Sequence, residues 1–241
     1  MVVIRKLDTV EEEEIREMQK RQKELHLIPT PLCYLDIEVE DEHGNVLSKY
    51  TDRSKSWTRN FYNWCISQQM TTRVNALGTT YGAGTLAFTN TGGTVRQDAN
   101  PAYHKVSAAT PQYGFRGAAG SNANGIVIGT SNAAESFESY QLTALIAEGT
   151  GAGQMSYLAM DEPIPVWDGG GKTMTYTCER GVTNYSGGTI NIFETGLIAR
   201  IFFVSLDGYM LCARDVLSEA VPVPNNSKIT VTYSIVITYP V

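Results

Sequence analysis

The feature that most limits what this chain can become is a period of two near its C-terminal end. Ile229, Val231, Tyr233, Ile235, Ile237 and Tyr239 alternate with Thr230, Thr232, Ser234 and Thr238, and Val236 is the one exception. Successive side chains of a β-strand point to opposite faces, so this segment forms a strand with one buried face. Burying that face contributes roughly 1.5–3 kcal/mol per large side chain, and a slip of one residue would expose the whole set. A strand of this kind requires neighbours and a second layer to pack against.

The rest of the C-terminal half supplies them. Strands are expected at Tyr140–Ala147, Met155–Met160, Thr173–Glu179, Thr189–Phe193, Leu197–Val204 and Tyr209–Arg214, with shorter ones at Leu86–Thr89 and Gly125–Gly129. Asp207-Gly208, between two apolar runs, predicts a two-residue hairpin turn. Leu35-Asp36-Ile37-Glu38-Val39-Glu40 alternates apolar with acidic, His43-Gly44-Asn45 turns, and Val46–Tyr50 returns, which predicts a hairpin with one wet face.

Two helices are expected. Asp8-Thr9 followed by Glu11-Glu12 has the form of a capping box, and Glu11–Glu14 fall where the helix dipole favours acids. Ile15, Met18 and Leu25 make only a thin apolar stripe, so this helix needs a partner or the domain surface; Pro29 and Pro31 end it. A second helix begins around Ser54-Lys55-Ser56 and sets Trp57, Phe61, Trp64 and Cys65 on one face. The fold expected is therefore mainly β: an antiparallel, jelly-roll-like β-sandwich with an N-terminal helical arm and one further amphipathic helix. The arm covers residues 1–34. The sandwich domain covers 35–241, including the hairpin 35–50 and the helix 55–70.

Charge and composition narrow the function. The formal net charge of -6 argues against a binder of duplex nucleic acid, which needs a basic face. About half of the charged residues lie before residue 60, leaving a charge-poor body rich in Thr, Ser and Asn. Such a surface suits contact between copies. No apolar run approaches the roughly 18 residues of a membrane span, and the start carries no signal-peptide pattern. Cys33, Cys65, Cys178 and Cys212 are far apart and read as buried free thiols, with disulfides within or between chains as the alternative, and form no zinc-like cluster.

Chemistry finds little purchase. His26, His43 and His104 are the only histidines; GxSxG and HExxH are absent. The run Asp36, Glu38, Glu40, Asp41, Glu42 could hold a calcium ion weakly but reads as a solvated strand face. Gly149–Gly153 and Gly169-Gly170-Gly171-Lys172 lack the ending and the following helix of a phosphate loop. Asp161-Glu162 is a carboxylate pair by adjacency alone. Arg214-Asp215 point to opposite faces at the end of a strand, where a structural role is expected. Trp167, beside Asp168-Gly169, is the best loop aromatic for stacking on a sugar. No catalytic residue, metal ligand or cofactor site is assigned, and no cofactor is expected.

Three stretches carry a resemblance. Gly44-Asn45-Val46 leads into Ser54-Lys55-Ser56-Trp57-Thr58-Arg59-Asn60-Phe61; Asn184-Tyr185-Ser186-Gly187-Gly188 runs on to Glu194-Thr195-Gly196-Leu197; and Cys212-Ala213-Arg214-Asp215-Val216-Leu217 leads to Val221-Pro222-Val223. Gly125–Thr130 fits the same order. Together they resemble structural proteins of the virions of tailed bacteriophages. The resemblance implies a non-catalytic virion subunit: a capsid decoration, collar, tail or short-fibre protein that assembles through its arm and sandwich surfaces. Its partners would be copies of itself and other virion proteins, without nucleic acid, and it would be made in the host cytoplasm and end in the virion. The alternative is a carbohydrate-binding, receptor-binding module that recognises host surface glycans.

Overall fold

A computed structural model describes residues 1–24, 31–67, 88–96, 114–161, 163–203 and 206–239. In chain order these form β1 (Val2–Arg5), α1 (Thr9–Glu24), β2 (Leu32–Glu40), β3 (Val46–Ser54), α2 (Arg59–Ser67), β4 (Phe88–Thr89), β5 (Val95–Arg96), β6 (Gly125–Gly129), β7 (Ser156–Tyr157), β8 (Val166–Asp168), β9 (Thr173–Thr183), β10 (Ile190–Phe203), β11 (Leu206–Val223) and β12 (Lys228–Thr238).

β12 lies at the centre of a seven-stranded sheet ordered β1-β3-β2-β12-β9-β7, with β8 also on β9. Ile229, Val231, Tyr233 and Ile235 of β12 are buried, while Thr230, Thr232 and Ser234 sit on the wetter face. The alternation lapses after Ile235: Ile237 is half-buried, Thr238 is buried and Tyr239 is exposed. A second sheet, β11-β10-β6, faces the first. Tyr233 of β12 touches Thr195 of β10 and Asp215 of β11, which fixes the two sheets face to face over one core. The molecule is thus mainly β and sandwich-like. A jelly roll distributes eight strands as two Greek keys; here seven strands face three, so the jelly-roll refinement does not follow from the pairing. The edge pair β1–β3 is parallel, an exception to the antiparallel expectation.

The arm behaves as its sequence suggests at one end. Asp8 Oδ1 accepts from the Glu11 amide at 2.9 Å and Glu11 Oε2 accepts from the Asp8 amide at 3.0 Å, a reciprocal capping box. Arg5 bridges Glu11 and Asp52, tying the helix start to β3. Unexpected from the sequence are the four residues of β1, which join the large sheet ahead of α1. β2 likewise starts at Leu32, three residues before the expected hairpin.

Several local expectations are corrected. Asp207-Gly208 is not the turn: both residues lie within β11, where Phe202 pairs with Asp207 and Ile201 with Gly208. Thr189–Phe193 and Leu197–Val204 are not two strands: Ile190–Phe203 runs through as β10. Tyr140–Ala147 is not a strand but irregular chain with one bridge, Leu145 to Gly129. The reason is Glu194, whose carboxylate takes the amides of Thr143 and Ala144 and so replaces ladder partners. Helix α2 begins at Arg59 rather than near residue 55, because Ser56–Thr58 run along the edge of β11 instead: Trp57 bridges Ala213 and the Thr58 amide donates to Cys212 O at 2.9 Å. Cys212 is available because the β10–β11 register skips it, a bulge that frees its carbonyl.

Candidate functional site

The described surface offers one place where aromatic rings, charges and a recess meet. It is built where the start of α2 passes the loop 131–139. Thr58 anchors the helix start, its Oγ1 donating to Leu211 O at 2.6 Å, and Asn60 ties it to Thr89 through bonds in both directions. From there the rings step outward. Trp57 and Phe61 have centroids 4.0 Å apart, Phe61 and Tyr62 5.7 Å, and Tyr62 and Phe137 5.9 Å with planes inclined by 40°. The two outer rings are bare: Tyr62 is 48% and Phe137 51% exposed. The Arg59 guanidinium lies 5.8 Å from the Phe137 ring centre and pairs with Glu138. Trp57, Tyr62 and Phe137 border a groove of about 540 Å³ that Lys55, Ser56, Glu135 and Ser136 complete.

The loop presenting Phe137 is exposed from Asn132 to Glu138, yet it is held firmly. Phe137 O accepts from the Arg59 amide at 2.8 Å, and Glu135 Oε1 accepts from the Val216 amide at 2.8 Å. Arg214, only 2% exposed, donates to Ala133 O and Ala134 O and, through Nε, to Glu194 Oε2 at 2.7 Å. Glu194 is fully buried in turn and holds the Thr143 and Ala144 amides. A buried ion pair therefore holds the loop at Ala133 and Ala134 and the chain just beyond it at Thr143 and Ala144. Gly129 leaves room for it: a Cβ there would lie 2.6 Å from Glu194 Oε1.

Asp215 points the other way, into the space between the sheets. Its Oδ2 accepts from Ser54 Oγ at 2.8 Å and from Tyr233 OH at 2.9 Å, and its Oδ1 accepts from the Lys55 amide. Since the Tyr233 hydroxyl donates to Asp215, the Thr195 hydroxyl, 2.6 Å away, donates to Tyr233. Asp215 also lines a recess of about 110 Å³ with Asp52, Arg53 and Glu135, adjoining the groove at Lys55. Arg214 and Asp215 thus do point to opposite faces, but from the buried middle of β11 rather than from the end of a strand.

Burial pushes the Asp215 carboxyl up to about 6, against the pull of the bonds from Ser54 and Tyr233, with Glu135 adding to the rise. A carboxyl raised above its unfolded value, roughly 3.9, holds a proton in the native state that the unfolded chain has released. Its contribution therefore declines as pH rises from about 4 to 6 and is constant above. Asp215→Asn keeps an acceptor for these donors and removes the titration. Urea unfolding at pH 4 and pH 7 is expected to show the variant gaining on the parent by roughly 2–3 kcal/mol between the two values. An unchanged difference would contradict it.

The residues weighed for chemistry are scattered. His26 and His104 lie outside the described residues. His43 sits in the exposed β2–β3 turn near Glu42. Asp161 is exposed, and Glu162 lies outside the described residues. Asp36, Glu38 and Glu40 engage Thr51, Lys49 and Lys228, while Asp41 holds the turn through the His43 and Asn45 amides. Gly149–Gly153 is a turn closed by Gln154, and Gly169–Lys172 joins β8 to β9. Cys33, Cys178 and Cys212 are buried free thiols and Cys65 an exposed one. Trp167 is 52% exposed with its ring edge-on to Tyr239, 5.3 Å away. The helical spacing in the sequence places Phe61 and Trp57 together but does not point to Phe137, which no periodicity marks.

No protein-family model, curated protein or solved structure matches this chain. Among the described residues, no helix is long and apolar enough to cross a membrane.

Proposed function

We propose that this chain is a non-catalytic structural subunit of a phage particle, a decoration, collar, tail or short-fibre protein. It assembles with copies of itself and with other virion proteins through its N-terminal segment and sandwich surfaces. The observation that carries this reading is the edge of the large sheet. β1 pairs only with β3 among the described strands, and Val2 and Val3 are 64% and 56% exposed. Soluble proteins blunt such edges with charge, proline or a covering element, because unpaired amides and carbonyls recruit another chain. Here the edge is apolar, and the helix that follows buries Ile15 while leaving Val10 exposed. The sequence resemblance to virion proteins supplies the setting. The buried Glu194–Arg214 pair and Arg180 support it from another side, since each spends its polar atoms on holding loops in place.

Sedimentation velocity of the full chain tests the reading. An oligomer is expected, and Val3→Lys, which puts a charge on the edge, is expected to shift it to monomer while its circular-dichroism spectrum stays that of the folded parent. A parent chain that stays monomeric at every concentration and does not associate with purified phage particles would overturn it.

A further inference from the structure

We propose that the groove between α2 and the loop 131–139 binds a pyranose unit. The apolar C–H face of the sugar lies on Tyr62 and Phe137, and its hydroxyls meet Glu135, Ser136 and Lys55. This goes beyond the assembly reading and does not depend on it.

Phe137 is a large apolar side chain in the middle of a run of exposed, mostly polar residues, and half of its surface faces solvent. A folding chain gains little by putting it there. Yet the loop that carries it is anchored by Arg59, Glu135 and the buried Arg214, so its display is fixed before any ligand arrives. Fixing a recognition element in advance lowers the ordering cost of binding.

The chemistry of the lining selects the ligand. The Tyr62 and Phe137 rings, with centroids 5.9 Å apart and planes inclined by 40°, both line the groove, and the Arg59 guanidinium lies over the Phe137 ring. Around these rings stand a carboxylate, an ammonium and hydroxyls, so donors and acceptors encircle a small apolar patch. A pyranose has the complementary form: hydroxyls around its rim and C–H groups on its face. The Lys55 side chain is exposed and forms no ion pair among the described residues, so its ammonium is available to a hydroxyl. The groove, at about 540 Å³, has the size of a small-molecule site. A protein partner fits less well. Stable protein contacts cover roughly 800 Å² on each side around an apolar centre, and here the exposed rings are bordered closely by Lys55, Arg59, Glu135 and Glu138.

Saturation-transfer NMR of the full chain tests this, with the methyl glycosides of glucose, galactose, mannose and N-acetylglucosamine as probes. Transfer to the ring C–H protons of at least one sugar is expected. Phe137→Leu keeps the bulk and removes the aromatic face, and Tyr62→Ala opens the wall; each is expected to weaken binding about tenfold. Tyr185→Ala, in the turn between β9 and β10 and outside the groove lining, is expected to bind as the parent does. Melting curves of all three identify any variant that has lost its fold, and the other variant then carries the comparison. Absence of transfer from all four sugars would overturn the proposal, as would transfer that survives unchanged in both ring variants. Capture of a phage protein that depends on Phe137 while every sugar fails would overturn it in favour of protein docking.

Discussion

Arg180→Met is expected to lower the melting temperature by about 10 °C. Arg180 belongs to β9, where Cys178, Arg180 and Val182 alternate into the sandwich, and it is 1% exposed. It meets no carboxylate at hydrogen-bond distance among the described residues. Instead its donors go to main-chain oxygens: Nε to Leu158 at 2.9 Å, one terminal nitrogen to Asn124 and Ile126, the other to Ala118 and Ser121. The Tyr157 ring lies 4.8 Å from the guanidinium carbon. Burial lowers its pKa to about 10, against the opposing influence of Tyr157 and Glu148, so it stays charged at neutral pH. Methionine fills part of the space but leaves five carbonyl oxygens short of a donor. Each unsatisfied buried group costs about 1–3 kcal/mol. The Asn124 and Ile126 carbonyls lie in buried bonds and the other three in partly buried ones that water can reach, so the five do not add in full and about 4 kcal/mol is expected, at roughly 2–4 °C of melting temperature for each kcal/mol at this chain length. Arg180→Lys is expected to recover only part, since an ammonium has three donors and no planar fork. Thermal unfolding followed by circular dichroism measures both. A fall under about 2 °C would mean that water replaces the guanidinium at little cost.

The second large effect is at the loop clamp. Arg214→Met strands the fully buried Glu194 without its cation, and losses of about 3–5 kcal/mol follow when one member of such a pair is removed. The double variant Arg214→Met, Glu194→Leu removes the stranded charge and is expected to regain part of this. It cannot regain all, because the Thr143 and Ala144 amides lose their acceptor in it. Urea unfolding of parent, single and double variants gives the three values. Hydrogen exchange adds a local reading: the Thr143 and Ala144 amides should exchange faster in the double variant than in Arg214→Met. If the single variant is as stable as the parent, the pair is not what holds the loop.

How much of this fold is legible in the sequence depends on the range of the interaction. The capping box at Asp8–Glu11 and the hairpin of β2 and β3 are local, and their residue types declare them. The β12 face is legible because burial on one side leaves a period of two. Arg180 and Glu194 do not stand out in the sequence as buried charges. Their partners lie roughly 20 to 60 residues away and are mostly main-chain groups, which carry no residue identity. The Asp207-Gly208 turn fails because a glycine inside β11 looks like a turn glycine when its partner strand is unknown. The expected strand at Tyr140–Ala147 fails for a related reason, since a distant carboxylate competes for its amides. Of the groove, Trp57 and Phe61 are visible as a helical aromatic face. Phe137 becomes their neighbour only through tertiary folding.

The position of β12 also sets the order in which this molecule can be made. Ile37 of β2 pairs with Val231 of β12, so the middle of the large sheet joins the two ends of the chain. A ribosome adding roughly 5–20 residues per second leaves β2 without that neighbour for on the order of 10–40 s. Over that interval the β2–β3 ribbon has emerged with its inner edge and apolar face uncovered. Newly made chains crowded on one messenger then compete with their own β12 for that edge, and yield should rise as fewer chains are started at once or as chaperones are supplied.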